Sequence, residues 1–375
     1  MQVFIYIIIF FAFFDLFAQL PIISPFAIEL QATPFLTGLA VGMYSLSNTF
    51  GNIVSGIFSD RKGPFAILVA GLLLTASFLF TYTLAEGPYS LLAIRFLHGL
   101  AAGLIIPAAF TYLANRTDRS RRGKGAAVSG AFVGLAAIIG PAYGAILSSR
   151  SSVPETMTVT GLMLLVLGLL SFFLLNRQVI KKEKLPPEPL TVGMILLNSG
   201  LLRAFMGAFF LMFSQGVLAY MLPLKVSGLE LPAQMSGLLL SVFGIAAILV
   251  FLLPVNRMFD SVKPIYTLIA GFLIMGSSLF LLSAVSAAFM LYFSMITYGI
   301  GFALLFPSIN SLLIDSTTAR SRGKAYGYFY AFFSIGVVAG SSFTGALALS
   351  ADRGFVTSGV LLVSAAAVNL ATIRK

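Results

Sequence analysis

Three side chains stand out because their surroundings offer a charge so little to touch. Asp15 lies within the apolar run Phe10 to Phe17, and Arg95 and His98 lie within Leu91 to Leu100. An ionised carboxylate only accepts hydrogen bonds and a guanidinium only donates them. An imidazole does either and titrates near neutral pH. These are the groups needed to take up and release a proton. Asp15 is the one acid placed deep within an apolar span, and an ionisable group there is a functional-site hypothesis by default. Arg95 would cost about 2.5–3.5 kcal/mol at the centre of a membrane helix, so it is expected to face a partner or water. It is also close enough to its span's end to snorkel. His98, three residues on, shares a helix face with Arg95. A rise of about 1.5 Å per residue puts Asp15 near the midplane of its span and His98 at a similar height. Two readings stay open: a proton-handling site on Asp15, Arg95 and His98, or a structural Asp15–Arg95 pair beside a packing histidine.

Membrane helices must hold these residues. The chain has 375 residues, is 59% hydrophobic and only 9% charged, with a mean hydropathy of +1.01. No soluble core needs that much apolar sequence; a lipid-embedded chain does. The net charge of +11 does not point to nucleic acid, because the basic residues sit in short loops between apolar runs. There is no cysteine, which excludes disulfides, thiolate metal sites and cysteine nucleophiles. Runs of about 20 apolar residues cross a hydrocarbon core of about 30 Å, and do so as helices. Twelve are predicted, near residues 3–28, 35–58, 64–84, 89–114, 125–148, 155–175, 201–225, 233–256, 264–284, 287–314, 324–348 and 354–372. The first reads as a retained span, since Met1-Gln2-Val3-Phe4 has neither a basic leader nor a small-residue cleavage site.

Basic residues crowd one side of these spans, from Arg61 and Lys62 through Arg116 to Lys124 and on to Arg374 and Lys375. Only Arg150, Lys225 and Arg353 fall on the other side. The positive-inside rule then puts both termini in the cytoplasm of a multi-pass protein in the cell (inner or plasma) membrane. The stretch 176–200 is polar and proline-rich, with Lys181-Lys182-Glu183-Lys184 and Pro186-Pro187. It reads as a cytoplasmic linker between an N-terminal six-helix bundle, 1–175, and a C-terminal one, 201–375.

The halves repeat. Leu91, Gly99, Pro107, Thr117, Arg122, Gly123 and Lys124 return as Leu291, Gly299, Pro307, Thr317, Arg322, Gly323 and Lys324. Asp60, Pro64 and Gly71 return as Asp260, Pro264 and Gly271. Asp15, Arg95 and His98 do not: their counterparts are Gln215, Met295 and Tyr298. Two parallel-related halves are a transporter architecture, with a site near the midplane.

Three motifs carry a resemblance. Gly56-Ile57-Phe58-Ser59-Asp60-Arg61-Lys62-Gly63 resembles the glycine-x-x-x-aspartate-arginine-x-glycine signature of the major facilitator superfamily, although Pro64-Phe65 replaces the usual basic pair. Arg95-Phe96-Leu97-His98-Gly99 is similar to that family's arginine-x-x-polar-glycine pattern. Gly140-Pro141-Ala142-Tyr143-Gly144-Ala145 resembles the antiporter motif of its twelve-helix drug:proton branch, with Ala145 for the last glycine. The resemblance implies an all-α membrane fold of two six-helix pseudo-repeats. It implies a conformational latch on Gly56, Asp60, Arg61 and Gly63, and an antiporter role for Gly140, Pro141 and Gly144. It further implies that Pro21 and Pro25 kink the first helix, and that helices 1 and 4 line a cavity. Gln19, Tyr44, Asn48, Gln215, Tyr298 and Asn310 are the polar candidates for substrate contacts, with Phe13, Phe14, Phe17, Phe209, Phe210 and Phe213 as an aromatic lining.

The expected function is a secondary active transporter, a proton-coupled antiporter exporting a small amphiphilic or cationic compound by alternating access, functional as a monomer. The alternatives are a proton-coupled exporter of one metabolite (a metallophore, a sugar or a lipid-related molecule) and an uncoupled facilitator. An intramembrane enzyme is disfavoured by one histidine, no cysteine and no paired intramembrane carboxylates. A channel is disfavoured because no repeated filter residues are visible. No phosphate-binding loop suggests an ATP-driven pump, and neither cofactor nor metal is expected.

Overall fold

The computed structural model describes residues 2–116, 122–175, 198–253, 261–317 and 322–373, with backbone alone at 60–62, 114–116, 122–127, 322–324, 327 and 373. The regular structure of these residues is helical: α1 Gln2–Ala18, α2 Ile23–Glu29, α3 Pro34–Lys62, α4 Pro64–Phe80, α5 Pro88–Ala102, α6 Ile105–Arg116, α7 Arg122–Arg150 and α8 Val153–Leu174. There follow α9 Ser199–Gly228, α10 Gln234–Leu252, α11 Pro264–Ala284, α12 Ala288–Asp315, α13 Arg322–Ala346 and α14 Ala351–Ile373. A short 3₁₀ turn, Thr81–Leu84, extends α4. The linker 176–200 lies outside the described residues up to 197.

Local chemistry sets the helix ends. Pro34, Pro64, Pro88 and Pro264 open their helices, where a missing N–H costs nothing. The Thr33 hydroxyl accepts from the Leu36 N–H, Ser152 from Glu155, and the Asn198 side chain from Gly200 and Leu201. Between α1 and α2 the chain breaks, because Pro21 has no N–H to offer the Phe17 carbonyl. Leu20 supplies a tighter bond to that carbonyl instead, at 3.3 Å, and the two helices bend by 46°. Pro25 sits within the first turn of α2, where proline is tolerated.

Ten helical stretches among the described residues are long and apolar enough to cross a membrane, and the bent α1–α2 pair makes eleven. Helix α8 shows why they suit lipid. Leu162, Val166, Leu169 and Phe173 form an exposed apolar stripe, while Thr160, Gly161, Leu164, Gly168 and Ser171 are buried on the other side. The inside is small and weakly polar and the outside greasy, the reverse of a soluble helix.

The remaining expected span, α3, is helical for 29 residues, ample for about 30 Å of hydrocarbon. It is more polar than the other spans, with Ser45, Ser47, Asn48, Thr49, Asn52 and Ser55 in one stretch. Part of that polarity serves the packing against α5 and the residues after it: Asn48 donates to the Gly99 carbonyl at 3.3 Å and Ser55 to the Leu104 carbonyl at 2.7 Å. Small residues allow the approach. A Cβ on Gly99 would lie 2.2 Å from Ser47 Oγ, and one on Gly103 2.3 Å from the Asn48 carbonyl.

The chain divides into two compact units, one of Met1–Lys182 with Leu231–Ser241 and one of Glu183–Glu230 with Val242–Lys375. The same packing device appears in each. In the first, α7 rides on α1 through Gly140 and Gly144, which face the Phe14 and Ala18 carbonyls. In the second, α13 rides on α9 through Gly336 and Gly340, which face the Phe209 and Phe213 carbonyls. A Cβ on Gly144 would lie 2.0 Å from the Ala18 carbonyl oxygen, whereas one on Gly130 meets nothing within 4 Å. Gly144→Ala should therefore force α1 from α7 and destabilise the protein by about 1–3 kcal/mol. Gly130→Ala should be neutral or slightly stabilising. Thermal unfolding of both variants in one detergent checks this, and equal effects would contradict the packing account.

Candidate functional site

The first unit buries a chain of polar side chains around Asp15. The carboxylate is 1% exposed. Its Oδ1 accepts from Gln19 Nε2 at 2.9 Å, and its Oδ2 accepts from the Tyr44 hydroxyl at 3.4 Å. His98 Nε2 lies 3.1 Å from the same Oδ2, and His98 Nδ1 lies 3.1 Å from the Tyr82 hydroxyl. Arg95 is buried too, and reaches the carboxylate at one remove. Its Nη1 donates to Gln19 Oε1, its Nε to the Ala40 carbonyl at 2.8 Å and its Nη2 to the Val41 carbonyl at 3.1 Å. Its guanidinium carbon stands 5.1 Å from the centre of the Tyr44 ring, a cation–π contact. The His98 ring meets Tyr44 and Tyr82 edge to face.

Each member is placed by its element. Asp15 and Gln19 are one helical turn apart, on the same face of the chain where α1 ends. The break at Pro21 leaves the last carbonyls of α1 short of helical donors, and Gln19 Nε2 also caps the Asp15 carbonyl at 2.9 Å. Gly140 and Gly144 seat α7 against this same end of α1, so the antiporter-like motif supports the helix turn that carries the carboxylate. Gly99, beside His98, lets α5 settle on α3 closely enough for Arg95 to reach two α3 carbonyls. Each charged side chain of this network thus has hydrogen-bond partners, which is what burial of two opposite charges requires.

The second unit replaces this network with neutral contacts. Tyr298, the counterpart of His98, shares a 2.6 Å hydrogen bond with Ser214 and packs on Phe243. An ion pair of this unit lies at the C-terminal end of α9, where Lys225 pairs with Asp352 at 2.6 Å.

The other expected residues are placed as follows. Gln19, Tyr44 and Tyr298 are buried, with their polar atoms engaged in these networks. Asn48, Gln215 and Asn310 are half-buried, Asn310 donating to the Phe306 carbonyl. Gly63 adopts φ +86° and ψ 158°, a conformation essentially reserved for glycine, and joins α3 to α4. Gly56 has nothing within 4 Å of its would-be Cβ. The side chains of Asp60 and Arg61, and all of Asp260, lie outside the described residues. Pro141 lies inside α7, and its carbonyl faces Gly237. Tyr82 is the member that sequence reasoning did not name.

Apolar helices arranged with a buried charge network define a multi-pass membrane protein. The family described as Major Facilitator Superfamily matches residues 5–340, and the chain belongs to that superfamily of transporters. It is 29% identical over 341 residues to the Multidrug resistance protein MdtG of Salmonella typhi, covering 86% of this chain and 82% of that one. The MdtG protein of Salmonella arizonae matches equally. Among solved structures, a bacterial homolog of the human lysosomal transporter Spinster superposes over 100% of this chain and 96% of its own, at a TM-score of 0.81 and 14% identity. The nucleoside transporter NupG superposes over 100% and 99%, at 0.79 and 14%. These likenesses establish the fold. The family and the relatives are transporters, which carry small molecules, and not enzymes.

The two networks should differ in weight. Tyr298→Phe removes one neutral hydrogen bond and should cost about 0.5–1.5 kcal/mol. Gln19→Leu removes bonds to two charged groups and should cost about 1.5–3 kcal/mol or more. Denaturant unfolding in detergent measures both; a smaller loss for Gln19→Leu would contradict the network.

Proposed function

We propose that the chain is a proton-coupled antiporter exporting small amphiphilic or cationic compounds across the cytoplasmic membrane, with Asp15 as proton carrier. One observation carries this reading. Asp15 is buried among groups that can share a proton, and the positive charge of Arg95 stands one amide away. The multidrug resistance name of its relatives supports the substrate class. A guanidinium drawn nearer favours the charged carboxylate, and one moved away favours the neutral acid. Motion of Arg95 relative to Asp15 during alternating access therefore loads or releases a proton. Each inward proton gains about 2.3 kcal/mol per 100 mV, enough to concentrate a neutral substrate outward about fifty-fold if tightly coupled.

Substrate contacts belong to Asn48, Gln215 and Asn310 in this reading, while Gln19 and Tyr44 serve Asp15. Gly56, Asp60, Arg61 and Gly63 act as a conformational latch, and Gly140, Pro141 and Gly144 serve antiport by fixing α1. Both termini and the 176–200 linker face the cytoplasm, and the monomer is the working unit.

In liposomes with an imposed pH gradient, Asp15→Asn should lower uptake of the lipophilic cation ethidium at least about tenfold, while ethidium exchange without a gradient persists. Full pH-driven uptake by Asp15→Asn would reject the carrier role. Cysteines placed at Ser120 and Glu183 should resist impermeant thiol reagents in intact cells, and one at Glu86 should react. The reverse pattern would invert the topology.

A further inference from the structure

The network distinguishes the two oxygens of Asp15. Arg95 can only donate, so the Gln19 oxygen it meets must accept. The Gln19 amide is thereby turned so that its NH₂ faces Asp15 Oδ1 at 2.9 Å. An NH₂ only donates, so Oδ1 must accept. A proton on Asp15 therefore sits on Oδ2, the oxygen 3.1 Å from His98 Nε2. The other ring nitrogen, Nδ1, meets Tyr82. His98 and Tyr82 are both 0% exposed, so the ring exchanges protons with its neighbours and not directly with water. The other titratable or charged groups facing the pair are Tyr44 on α3 and Arg95 on α5. On α7, Tyr143 packs against Phe14.

We propose that Tyr82, His98 and Asp15 form a proton relay in which protonation of the carboxylate switches the histidine from its Nε2–H to its Nδ1–H tautomer, with Gln19 as the positioning residue that confines the proton to Oδ2. This rests on Asp15 being the proton carrier. With Asp15 ionised, the ring donates Nε2–H to Oδ2 and accepts the Tyr82 hydroxyl at Nδ1. For uptake, the Tyr82 O–H proton passes to Nδ1 as the Nε2 proton passes to Oδ2. The Tyr82 oxygen takes its replacement proton from bulk water, which reaches the exposed Thr83–Leu84 turn beside it as this end of the bundle opens. One proton has entered, the carboxylate is neutral, and imidazole and phenol end as neutral as they began. Both end states satisfy every polar atom of the ring, because a phenol can donate or accept.

The single histidine makes the test direct. Nitrogen-15 histidine labelling of the full chain in lipid nanodiscs reports this ring alone by NMR. As pH falls, the Nε2–H signature should give way to the Nδ1–H signature with the ring neutral in both. A doubly protonated ring at low pH, or one unchanged tautomer throughout, would overturn the relay. Asp15→Asn should abolish the switch, and Tyr82→Phe should hold the ring as Nε2–H at all pH; a switch surviving either change would also overturn it. Gln19→Leu frees Oδ1 to take the proton and should leave a mixture of tautomers at low pH, whereas a complete switch would show that Gln19 does not choose the oxygen. A fixed tautomer beside Asp15-dependent ethidium uptake sinks the relay alone; Asp15-independent uptake sinks the carrier role of Asp15 on which the relay rests.

Discussion

A charge buried in a lipid-embedded bundle must find its partners within that bundle, and the first unit is arranged around meeting this requirement. Asp15 and Arg95 are held from α1, α3, α5 and the turn after α4. The requirement reaches into the backbone. The helix break at Pro21 places Gln19 between the two charges, and glycines on α5 and α7 bring the supporting helices within reach. Removing any of these features leaves a donor or acceptor in a medium that cannot replace it.

The amide of Gln19 gives this network a direction. A direct Asp15–Arg95 pair would fix both charges firmly, as buried ion pairs do. An intervening amide lets the guanidinium act on the carboxylate while leaving Oδ2 to His98. In the proposed relay, charge stabilisation and proton exchange thus occupy opposite sides of one carboxyl group. The second unit keeps the fold without the charge: Ser214 and Tyr298 join the equivalent helices through neutral hydroxyls. The shared glycine seats at Gly140 and Gly340 show that duplication preserved packing while the polar chemistry diverged.

Much of this was legible in the sequence. Apolar run length gave the helices, and Asp15, Arg95 and His98 were visible because charge in such runs is rare. Helix α3 was legible as a span by length and repeat position, although its serines and asparagines lower its hydropathy. The partners were harder to read. Gln19 looked like a cavity residue because periodicity places it on the face of Asp15 without saying what lies opposite. Tyr82 sits at a span end, where tyrosine is ordinary interfacial sequence. A signal did exist in the repeat: at the common offset Gln19, Tyr82 and Arg95 align in sequence with Ala219, Leu282 and Met295, so polarity restricted to one half marks the network. Which oxygen of Asp15 meets which partner follows only from side-chain geometry, which no spacing encodes.

The central claim is that Asp15 takes up a proton within the membrane. The most direct measurement is pH-jump infrared difference spectroscopy of the protein in lipid nanodiscs, with no substrate needed. As pH falls, the wild type should gain the C=O stretch of a buried protonated carboxyl, and Asp15→Asn should lack that band. A spectrum without such a band, or one unchanged by Asp15→Asn, would contradict the account.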